Sequence, residues 1–235
     1  MELKIIAYAR NGHTDKFGIP RQSRDESPIV TRIVFEPEYA VREALRGIEE
    51  FSHLWLLWGF TTFPRNYPDN DPLVNDVNAT HWSPTVRPPR LGGNKRMGVF
   101  ATRSPFRPNP IGLTSVRLLG VENGELLVSG ADLLDGTPIY DIKPYLSFSD
   151  SHPEAQNGFA EETKDYKLRV VPPMGVGCPT VPEKIWRDIE YILSQDPRPA
   201  YQDDPSREYK MEYADYRVTF VVHDQTVVVK KVEKI

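Results

Sequence analysis

The stretch Phe51–Phe60, with the sequence FSHLWLLWGF, decides the fold class of this chain. It is almost continuously apolar, which indicates a strand that the rest of the protein covers on both faces. Its longest apolar run, Leu54–Phe60, is far shorter than the roughly 20 residues that a membrane-spanning helix requires. The stretch therefore predicts a central strand of a β-barrel or β-sandwich in a protein with no membrane span.

Further strand signals surround this stretch, each bounded by turn residues. They lie at Leu3–Ala9, Ile29–Phe35, Gly98–Thr102, Gly112–Val121, Glu125–Leu133 and Pro138–Ile142. The tripeptide Glu122-Asn123-Gly124 predicts a hairpin turn, and one short helix is predicted from Glu38 to Arg46. About seven strands at short spacing predict a mainly β fold, an antiparallel β-barrel that is closed or nearly closed.

A second unit follows a polar, irregular stretch from Ser151 to Gly177. Thr180 and Glu183 form a capping box, and the helix after them is expected to end before Pro197. Its apolar face consists of Ile185, Trp186, Ile189, Ile192 and Leu193. Two strands, Tyr213–Val222 and Thr226–Val232, complete the pattern. We therefore expect a barrel domain at residues 1–150 and a small C-terminal α+β domain at residues 160–235.

The composition is that of a globular protein of a reducing compartment. Of the 235 residues, 39% are hydrophobic, enough to bury a core. The single cysteine, Cys178, excludes an internal disulfide framework. The amino terminus has only a short apolar run and an early acid, so it does not resemble a secretory signal. The expected location is the cytoplasm.

One window of the chain, from Ala79 to Val121, contains basic residues and no Asp or Glu. The whole protein has 29 Lys and Arg against 33 Asp and Glu, so outside the window 22 basic residues face all 33 acidic ones. The window's seven basic residues are Arg87, Arg90, Lys95, Arg96, Arg103, Arg107 and Arg117. Such a segment in an acidic protein indicates a site for a polyanion, with phosphate the usual partner of arginine. The alternative is a solvated basic loop without a partner.

Three polar segments could carry the chemistry. Gly18–Gln22 is a turn that leaves Arg21 and Gln22 projecting, unless it is an ordinary surface turn. Thr102–Gly112 is a proline-stiffened loop that presents arginines. Asp132–Tyr145 carries three carboxylates. Either these carboxylates serve turns and ion pairs, with Asp135 in a turn and Asp141 beside Lys143, or one of them accepts a hydrogen bond from a ribose hydroxyl or an amine.

Several familiar sites are absent from the sequence. It contains neither a Gly-x-Gly-x-x-Gly fingerprint nor a P-loop. Its five histidines have no ligand spacing, so no metal site is expected, and we interpret His53 as a core histidine. No Ser-His-Asp arrangement is visible, and the residues alone identify no catalytic group.

Four segments, in this order, resemble the TsaA-like family, the TrmO-type tRNA methyltransferases. They are GIPRQ at 18–22, FSHLWLLW at 51–58, TVRPPRLGGNKRMGVFATRSPFRPNPIGL at 85–113 and DLLDGTPIYDIKPY at 132–145. The resemblance is dense over residues 1–150 and continues in SQDPRPAY and the tyrosine-rich tail.

The resemblance implies a β-barrel methyltransferase outside the Rossmann class that works as a homodimer. It would use S-adenosyl-L-methionine to methylate the exocyclic nitrogen of threonylcarbamoyl-adenosine at position 37 of tRNA, next to the anticodon. Carried over by motif, the cofactor contacts are Pro20, Arg21, Gln22, Arg103, Leu113 through its backbone, Ser129, Gly130, Ala131 and Asp132. Thr61 and Thr62 stand where the family often has His-Gln, and the stretch 63–78 is longer than the family pattern.

The residues fit this chemistry. Arg103 or Arg21 suits the methionine carboxylate, and Asp132 suits the ribose hydroxyls or the amine. The sulfonium already activates the methyl group, so catalysis is mostly positioning, and no general base is assigned. The expected tRNA contacts are Arg87, Arg90, Lys95, Arg96, Arg107 and Lys143 on phosphates, with Tyr145 or Phe106 stacking on a base. The alternatives are a non-catalytic RNA- or small-molecule-binding barrel, and a partner-binding module built on the small domain.

Overall fold

Six strands close into an antiparallel barrel. The computed structural model describes residues 2–20, 22–60, 82–88, 95–173, 181–198 and 204–235. The barrel strands are β1 (Ala7–Arg10), β2 (Val30–Phe35), β3 (His53–Gly59), β6 (Ile111–Glu122), β7 (Glu125–Ser129) and β8 (Pro138–Pro144). Their order around the barrel is β1-β2-β7-β6-β3-β8. A separate two-stranded ribbon joins β4 (Thr85–Val86) to β5 (Met97–Gly98).

Strand β3 is central, as the sequence predicts. It pairs with β6 on one side and with β8 on the other. Leu54, Leu56 and Trp58 point into the barrel and are buried, whereas Trp55 and Leu57 on the opposite face are half-buried. The barrel core is completed by residues of the other strands, including Ala7, Ala9, Ile33, Val116, Leu126, Val128, Leu133 and Ile139.

Two local predictions are wrong. The strand expected at Gly98–Thr102 is a strand only at Met97–Gly98, and a 3-10 turn, Val99–Ala101, follows it, which reduces the barrel to six strands. The helix expected at Glu38–Arg46 is absent. Two 3-10 turns, Arg42–Leu45 and Ile48–Glu50, occupy this region, and neither buries a residue. Leu45 and Ile48 pack only partly against the barrel core, so an α-helix here would gain little from burial.

The hairpin turn between β6 and β7 is confirmed. Asn123 has φ 52° and Gly124 has φ 80°, so both central residues adopt the left-handed conformation. Glu122 pairs with Glu125 directly across the turn. Two positive φ values are the mark of the turn type whose twist matches paired strands, and Asn-Gly is its preferred sequence.

The C-terminal part is a four-stranded sheet with a helix packed on one face. Its order is β10-β11-β12-β9, where β9 is Arg169–Val171, β10 is Tyr209–Tyr213, β11 is Tyr216–His223 and β12 is Thr226–Lys234. The two predicted strands correspond to β11 and β12, whereas β9 and β10 were not predicted. A single turn of helix, α1 (Ser147–Asp150), precedes this part of the chain, and the packed helix is α2 (Glu183–Ser194).

Helix α2 follows the predicted face. Ile189, Ile192 and Leu193 are buried against the sheet, with Ile185 and Trp186 at the margin. The helix ends at Ser194, ahead of Pro197, as expected. The predicted capping box is wrong, because Pro182 is the N-cap and Glu183 the first helical residue, while Thr180 lies outside the described residues. No helix in the described part of the chain has the length and hydropathy to cross a membrane.

The loop after β1 contacts the small sheet. The backbone N–H of Ala214 donates to the carbonyl of Gly12 at 2.8 Å, and the His13 ring meets the Tyr213 ring edge-on at 5.3 Å. A Cβ atom at Gly12 would lie 2.6 Å from the Tyr213 ring, so this close approach requires glycine. We refer to these contacts, Gly12 and His13 against Tyr213 and Ala214, as the junction.

Candidate functional site

Asp132 is the centre at which the separate polar segments meet. Its Oδ1 accepts a hydrogen bond from the Thr114 hydroxyl at 2.8 Å, and its carboxylate also accepts one from the backbone N–H of Ser23. Burial raises the pKa of Asp132, while the hydrogen bonds from Thr114 and the backbone and the charge of Arg103 act to lower it. The loop after Gln22, strand β6 and the arginine loop therefore converge on one carboxylate.

Thr114 connects this carboxylate to the barrel interior. The indole N–H of Trp58 donates to the Thr114 hydroxyl oxygen at 2.9 Å, and the same hydroxyl donates to Asp132. Gly112 leaves the space for the indole, because a Cβ there would lie 2.2 Å from the Trp58 ring. Alternation along β6 places Gly112 and Thr114 on the same inward face. Two neighbouring strands, β3 with Trp58 and β6 with Thr114, thus hold the carboxylate of the loop residue Asp132.

The residues just before Asp132 form a tight, buried turn. Ser129 and Ala131 are buried, and Gly130 has φ 83°. A Cβ at Gly130 would lie 2.9 Å from the carbonyl oxygen of Arg24, so the turn and the loop of residues 22–28 are in contact. Only glycine tolerates both the left-handed conformation and this approach.

The other predicted cofactor contacts are near these residues in the sequence or lie outside the described residues. Pro20 is buried and Gln22 is exposed beside Ser23. Leu113 precedes Thr114 on β6 and turns its side chain outward, 54% exposed. Arg103 is exposed. The predicted contacts Arg21, Thr61 and Thr62 lie outside the described residues.

Among the described residues, the basic window contains exposed cations, of which Arg117 pairs with Asp25, and the half-buried structural arginine Arg107. Arg87, Lys95 and Arg96 are exposed at the ends of the β4–β5 ribbon, and Arg90 lies outside the described residues. Arg107 is half-buried, and its Nη1 donates to the carbonyls of Thr102 (2.7 Å), Val99 (3.3 Å) and Ser104 (3.5 Å). This guanidinium holds its own loop together, which leaves it fewer donors for a phosphate.

The acidic segment after Asp132 serves turns and ion pairs. Asp135 accepts the backbone N–H of Asn11 at 3.0 Å, next to Gly136 with φ 78°. Asp141 pairs with Lys143 at 2.7 Å. Tyr145 packs against Trp55, with ring centroids 5.4 Å apart. Of the three carboxylates that the sequence analysis left open, only Asp132 lies among the converging loops.

His53 is not a core histidine, so that interpretation is wrong. It lies on the outer face of β3, where its Nε2 is 3.1 Å from Asp25 and its Nδ1 is 2.9 Å from the Ser52 hydroxyl. Hydrogen bonding from Arg117, more than from His53, lowers the pKa of Asp25 to about 2. Among the residues that the structure describes, no three His, Cys, Asp or Glu side chains cluster as metal ligands.

Sequence reasoning missed Thr114, Trp58 and Ser23. For Thr114 a signal was present, since alternation in Ile-Gly-Leu-Thr-Ser-Val places one hydroxyl among inward-facing residues. A buried hydroxyl requires a partner, which points to a polar group inside that end of the barrel. The contact from Ser23 is made by the backbone and has no side-chain signal.

Comparison with known proteins identifies the family. The tRNA-methyltransferase O N-terminal domain matches residues 8–151, and the TrmO C-terminal domain matches residues 178–235. The chain is 46% identical over 173 residues to a tRNA (adenine(37)-N6)-methyltransferase of Eikenella corrodens, covering 72% of this chain and 90% of that protein. It is 39% identical over 228 residues to a putative S-adenosylmethionine-dependent methyltransferase of Pseudomonas aeruginosa, covering 91% and 89%.

A solved structure agrees along the whole chain. The crystal structure of TrmO from Pseudomonas aeruginosa superposes with a TM-score of 0.75 at 30% identity, covering 99% of this chain and 98% of that one. The similarity therefore extends over both the barrel and the small sheet with its helix. The chain belongs to the TrmO family of tRNA methyltransferases.

Proposed function

We propose that this protein transfers a methyl group from S-adenosyl-L-methionine to the exocyclic nitrogen of threonylcarbamoyl-adenosine at position 37 of tRNA. The relatives named above support the reaction. The observation that carries it to this chain is the convergence on Asp132 of three segments that are far apart in the sequence. A carboxylate that feels the charge of a nearby arginine suits a ligand that carries both an amine and a carboxylate.

The residues around Asp132 fit such a cofactor. Asp132 offers acceptor oxygens to a ribose or an amine, and Arg103 offers donors to a carboxylate. Two glycines flank the carboxylate, Gly112 on strand β6 and Gly130 in the turn before Asp132. A side chain at either position would collide with its neighbour, the Trp58 ring or the Arg24 carbonyl. We assign Pro20, Arg21, Gln22, Thr61, Thr62, Leu113, Ser129, Gly130 and Ala131 to the remaining contacts.

When bound, the cofactor supplies an electrophilic methyl group on its sulfonium. The work of this chain's residues is then to orient the two reactants and to keep water out, because a well-aligned transfer needs little covalent assistance. The Trp58–Thr114–Asp132 chain fixes one of the orienting groups before the ligand arrives. We assign no general base.

For the tRNA interface we propose Arg87, Arg90, Lys95 and Arg96 as the main phosphate contacts. The described members of this set are exposed and lie in the window without carboxylates. Arg107 and Lys143, with their internal partners, would contribute less to phosphate binding, and Tyr145, whose ring contacts Trp55 and His53, would have less of its face left for a base. We also propose that residues 1–150 and 160–235 form two domains, since one hydrophobic cluster fills the barrel and a second fills the small sheet, although Ile29 and Phe17 of the first range also pack in the second cluster.

We further propose a homodimer that uses the outer face of β6. Ile111, Leu113 and Leu119 are exposed apolar residues on this strand, and Leu113 pairs with Leu57 of β3. Ile111 and Leu113 lie on either side of Gly112 and next to the inward-facing Thr114, which supports an interface beside the proposed cofactor residues. Light scattering at micromolar concentration should return about twice the chain mass of 26.9 kDa. The chain mass alone would contradict the proposal.

The function is tested in cells that lack the gene. Mass spectrometry of tRNA nucleosides should show the N6-methylated nucleoside after complementation with the wild type and a strongly reduced level with Arg103→Ala. Arg217→Ala is the control, because Arg217 pairs with Glu212 on the small sheet and has no proposed contact with the cofactor. Complementation that leaves the nucleoside unmethylated would overturn the proposed reaction.

A further inference from the structure

Two aromatic side chains stack on each other at the surface of the β4–β5 ribbon. The ring centroids of Trp82 and Phe100 are 6.4 Å apart and their planes differ by 23°. Phe100 is 73% exposed and Trp82 is 37% exposed. A single exposed aromatic ring needs no explanation, but a stacked pair presents a flat apolar surface of the kind that binds another ring.

The backbone around the pair is held in place. The N–H of Val99 donates to the carbonyl of Pro84 at 2.9 Å, and the N–H of Ser83 donates to the carbonyl of Phe106 at 3.2 Å. Val99 is buried, so the 3-10 turn is anchored on one side while Phe100 projects from the other. A surface that is ordered before its ligand arrives loses less conformational entropy on binding.

Arg107 supports the ring from beside it. Its guanidinium carbon lies 5.8 Å from the centroid of Phe100. The hydrogen bonds from its Nη1 to the three loop carbonyls fix the guanidinium in that position. The arginine therefore contributes a cation–π contact to the platform.

The charges around the pair select the ligand. Arg87 follows β4, and Lys95 and Arg96 precede β5, so these exposed cations stand at the Val86–Met97 end of the ribbon, one two-residue strand away from the end that carries the pair. The sequence from Ala79 to Val121 contains no carboxylate to oppose them. Aromatic faces within a cationic surface are the combination that binds single-stranded nucleic acid, because bases stack on the rings while phosphates meet the cations.

We propose that Trp82 and Phe100 form a stacking platform for an unpaired base of the tRNA, a base other than the one that is methylated. The proposal rests on the proposed function, and it names the residues that make the protein bind single-stranded RNA in preference to paired RNA. It replaces the sequence expectation of Tyr145 or Phe106. Both of those rings are half-buried, and Tyr145 is already packed against Trp55.

The test compares single-stranded with paired RNA. Phe100→Leu and Trp82→Leu keep apolar bulk and remove the aromatic face. Fluorescence anisotropy should show that each binds a seven-nucleotide single-stranded RNA roughly fivefold or more weakly than the wild type, since one stacked base is worth that much or more. Binding of an RNA duplex should change less than twofold. Phe100→Tyr, which keeps the face, should bind the heptamer like the wild type.

Phe148→Leu is the matched control, because Phe148 is 87% exposed on α1 and lies outside the basic window. Thermal melting establishes that each variant is folded, and the two leucine variants are measured independently.

If the wild type methylates tRNA while both leucine variants bind the heptamer normally, the platform is wrong and the proposed function stands. If the wild type fails to methylate tRNA, the proposed function itself fails. A loss of dimer mass in Phe100→Leu would show a contact between copies of the chain instead and would overturn the platform.

Discussion

The two halves of the molecule each bury a carboxylate, and they hold it in opposite ways. Asp132 in the barrel accepts hydrogen bonds from Thr114 and from the backbone of Ser23, and it lies near Arg103. Asp188 on α2 accepts one hydrogen bond, from the Tyr213 hydroxyl at 2.8 Å, and its Oδ1 has no partner among the described residues. Burial raises the pKa of both, but only Asp132 has several donors that favour its charged form.

The difference shows where the chain places its unsatisfied polar groups. Both ring nitrogens of His13 are buried without a partner among the described residues, and His13 meets the same Tyr213 that binds Asp188. A buried polar group without a partner costs about 1–3 kcal/mol of stability. The barrel site is thus preorganised for a ligand, while the junction is the part of the fold that acid should weaken first.

The largest expected effect is on the junction and depends on pH. Burial lowers the pKa of His13 to about 4. Between the unfolded value of about 6.5 and this folded value, the unfolded chain binds a proton that the folded chain does not. Lowering the pH from 7.5 to 4.5 should therefore remove about 2.5 kcal/mol of unfolding free energy through His13. Urea denaturation at the two pH values measures this loss.

His13→Phe isolates that contribution, because it keeps a ring against Tyr213 and cannot titrate. The raised pKa of Asp188 acts in the opposite sense, since the folded state binds that proton more readily and acid favours it. The relevant quantity is therefore the difference between wild type and variant. Equal losses of stability in the wild type and in His13→Phe would show that protonation of His13 does not cause the loss.

The next effect compares the two carboxylates directly. Asp132→Asn removes the negative charge of a side chain that we propose contacts the cofactor. Because a charge-assisted contact is worth about 1.5–3 kcal/mol, the affinity for S-adenosyl-L-methionine should fall at least tenfold. Asp188→Asn should leave that affinity unchanged, because Asp188 faces the junction. Isothermal titration of both variants decides the matter. Equal affinities would remove Asp132 from the cofactor site.

A smaller effect is expected from the residue that orients Asp132. Thr114→Val keeps the side-chain shape but leaves the Trp58 N–H without its acceptor and Asp132 without its hydroxyl donor. We expect a loss of about 1–3 kcal/mol in stability and a severalfold weaker affinity for the cofactor. Thr114→Ser should restore the affinity, which a purely steric role of Thr114 would not predict. Urea denaturation and titration calorimetry supply the two measurements.

The smallest effect on the barrel site is expected from the exposed cations. Arg87→Ala combined with Lys95→Ala should leave cofactor affinity intact and weaken tRNA binding. Removing each cation that meets a phosphate should flatten the slope of log affinity against log salt by roughly 0.7–0.9. Binding isotherms at several salt concentrations measure the slope. An unchanged slope would make this part of the window a solvated loop.

Much of the fold could be predicted because the pattern and the packing agree. The alternation in β3 and β6 and the Asn123-Gly124 turn are local signals that the barrel also requires. The segment Glu38–Arg46 has helical composition, but it packs against the barrel core only in part, through Leu45, and forms a 3-10 turn at Arg42–Leu45. Strand β9 was missed because its three residues become a strand only by pairing with β12.

The sequence predicted the charged side chains of the site well, but it did not predict the residues that hold those side chains in place. Asp132 and Arg103 are charged residues in motif segments, and the sequence singles them out. Thr114 and Trp58 act through hydrogen bonds across strands that are distant in the sequence, and the contact of Ser23 is made by the backbone. These contacts depend on the register between paired strands, and the composition and the spacing of residues along the chain do not determine that register.

The pairing of β9 with β12 has a consequence for dissecting the protein. Arg169–Val171 lies ahead of α2, yet it forms the parallel edge of the small sheet, opposite Thr226, Val227 and Val228. A fragment that begins at residue 178 would lack this strand and expose the bare edge of β12. Unpaired edges of apolar strands recruit other strands. An isolated small domain therefore needs to begin before Arg169, and one cut at residue 178 is expected to aggregate through β12.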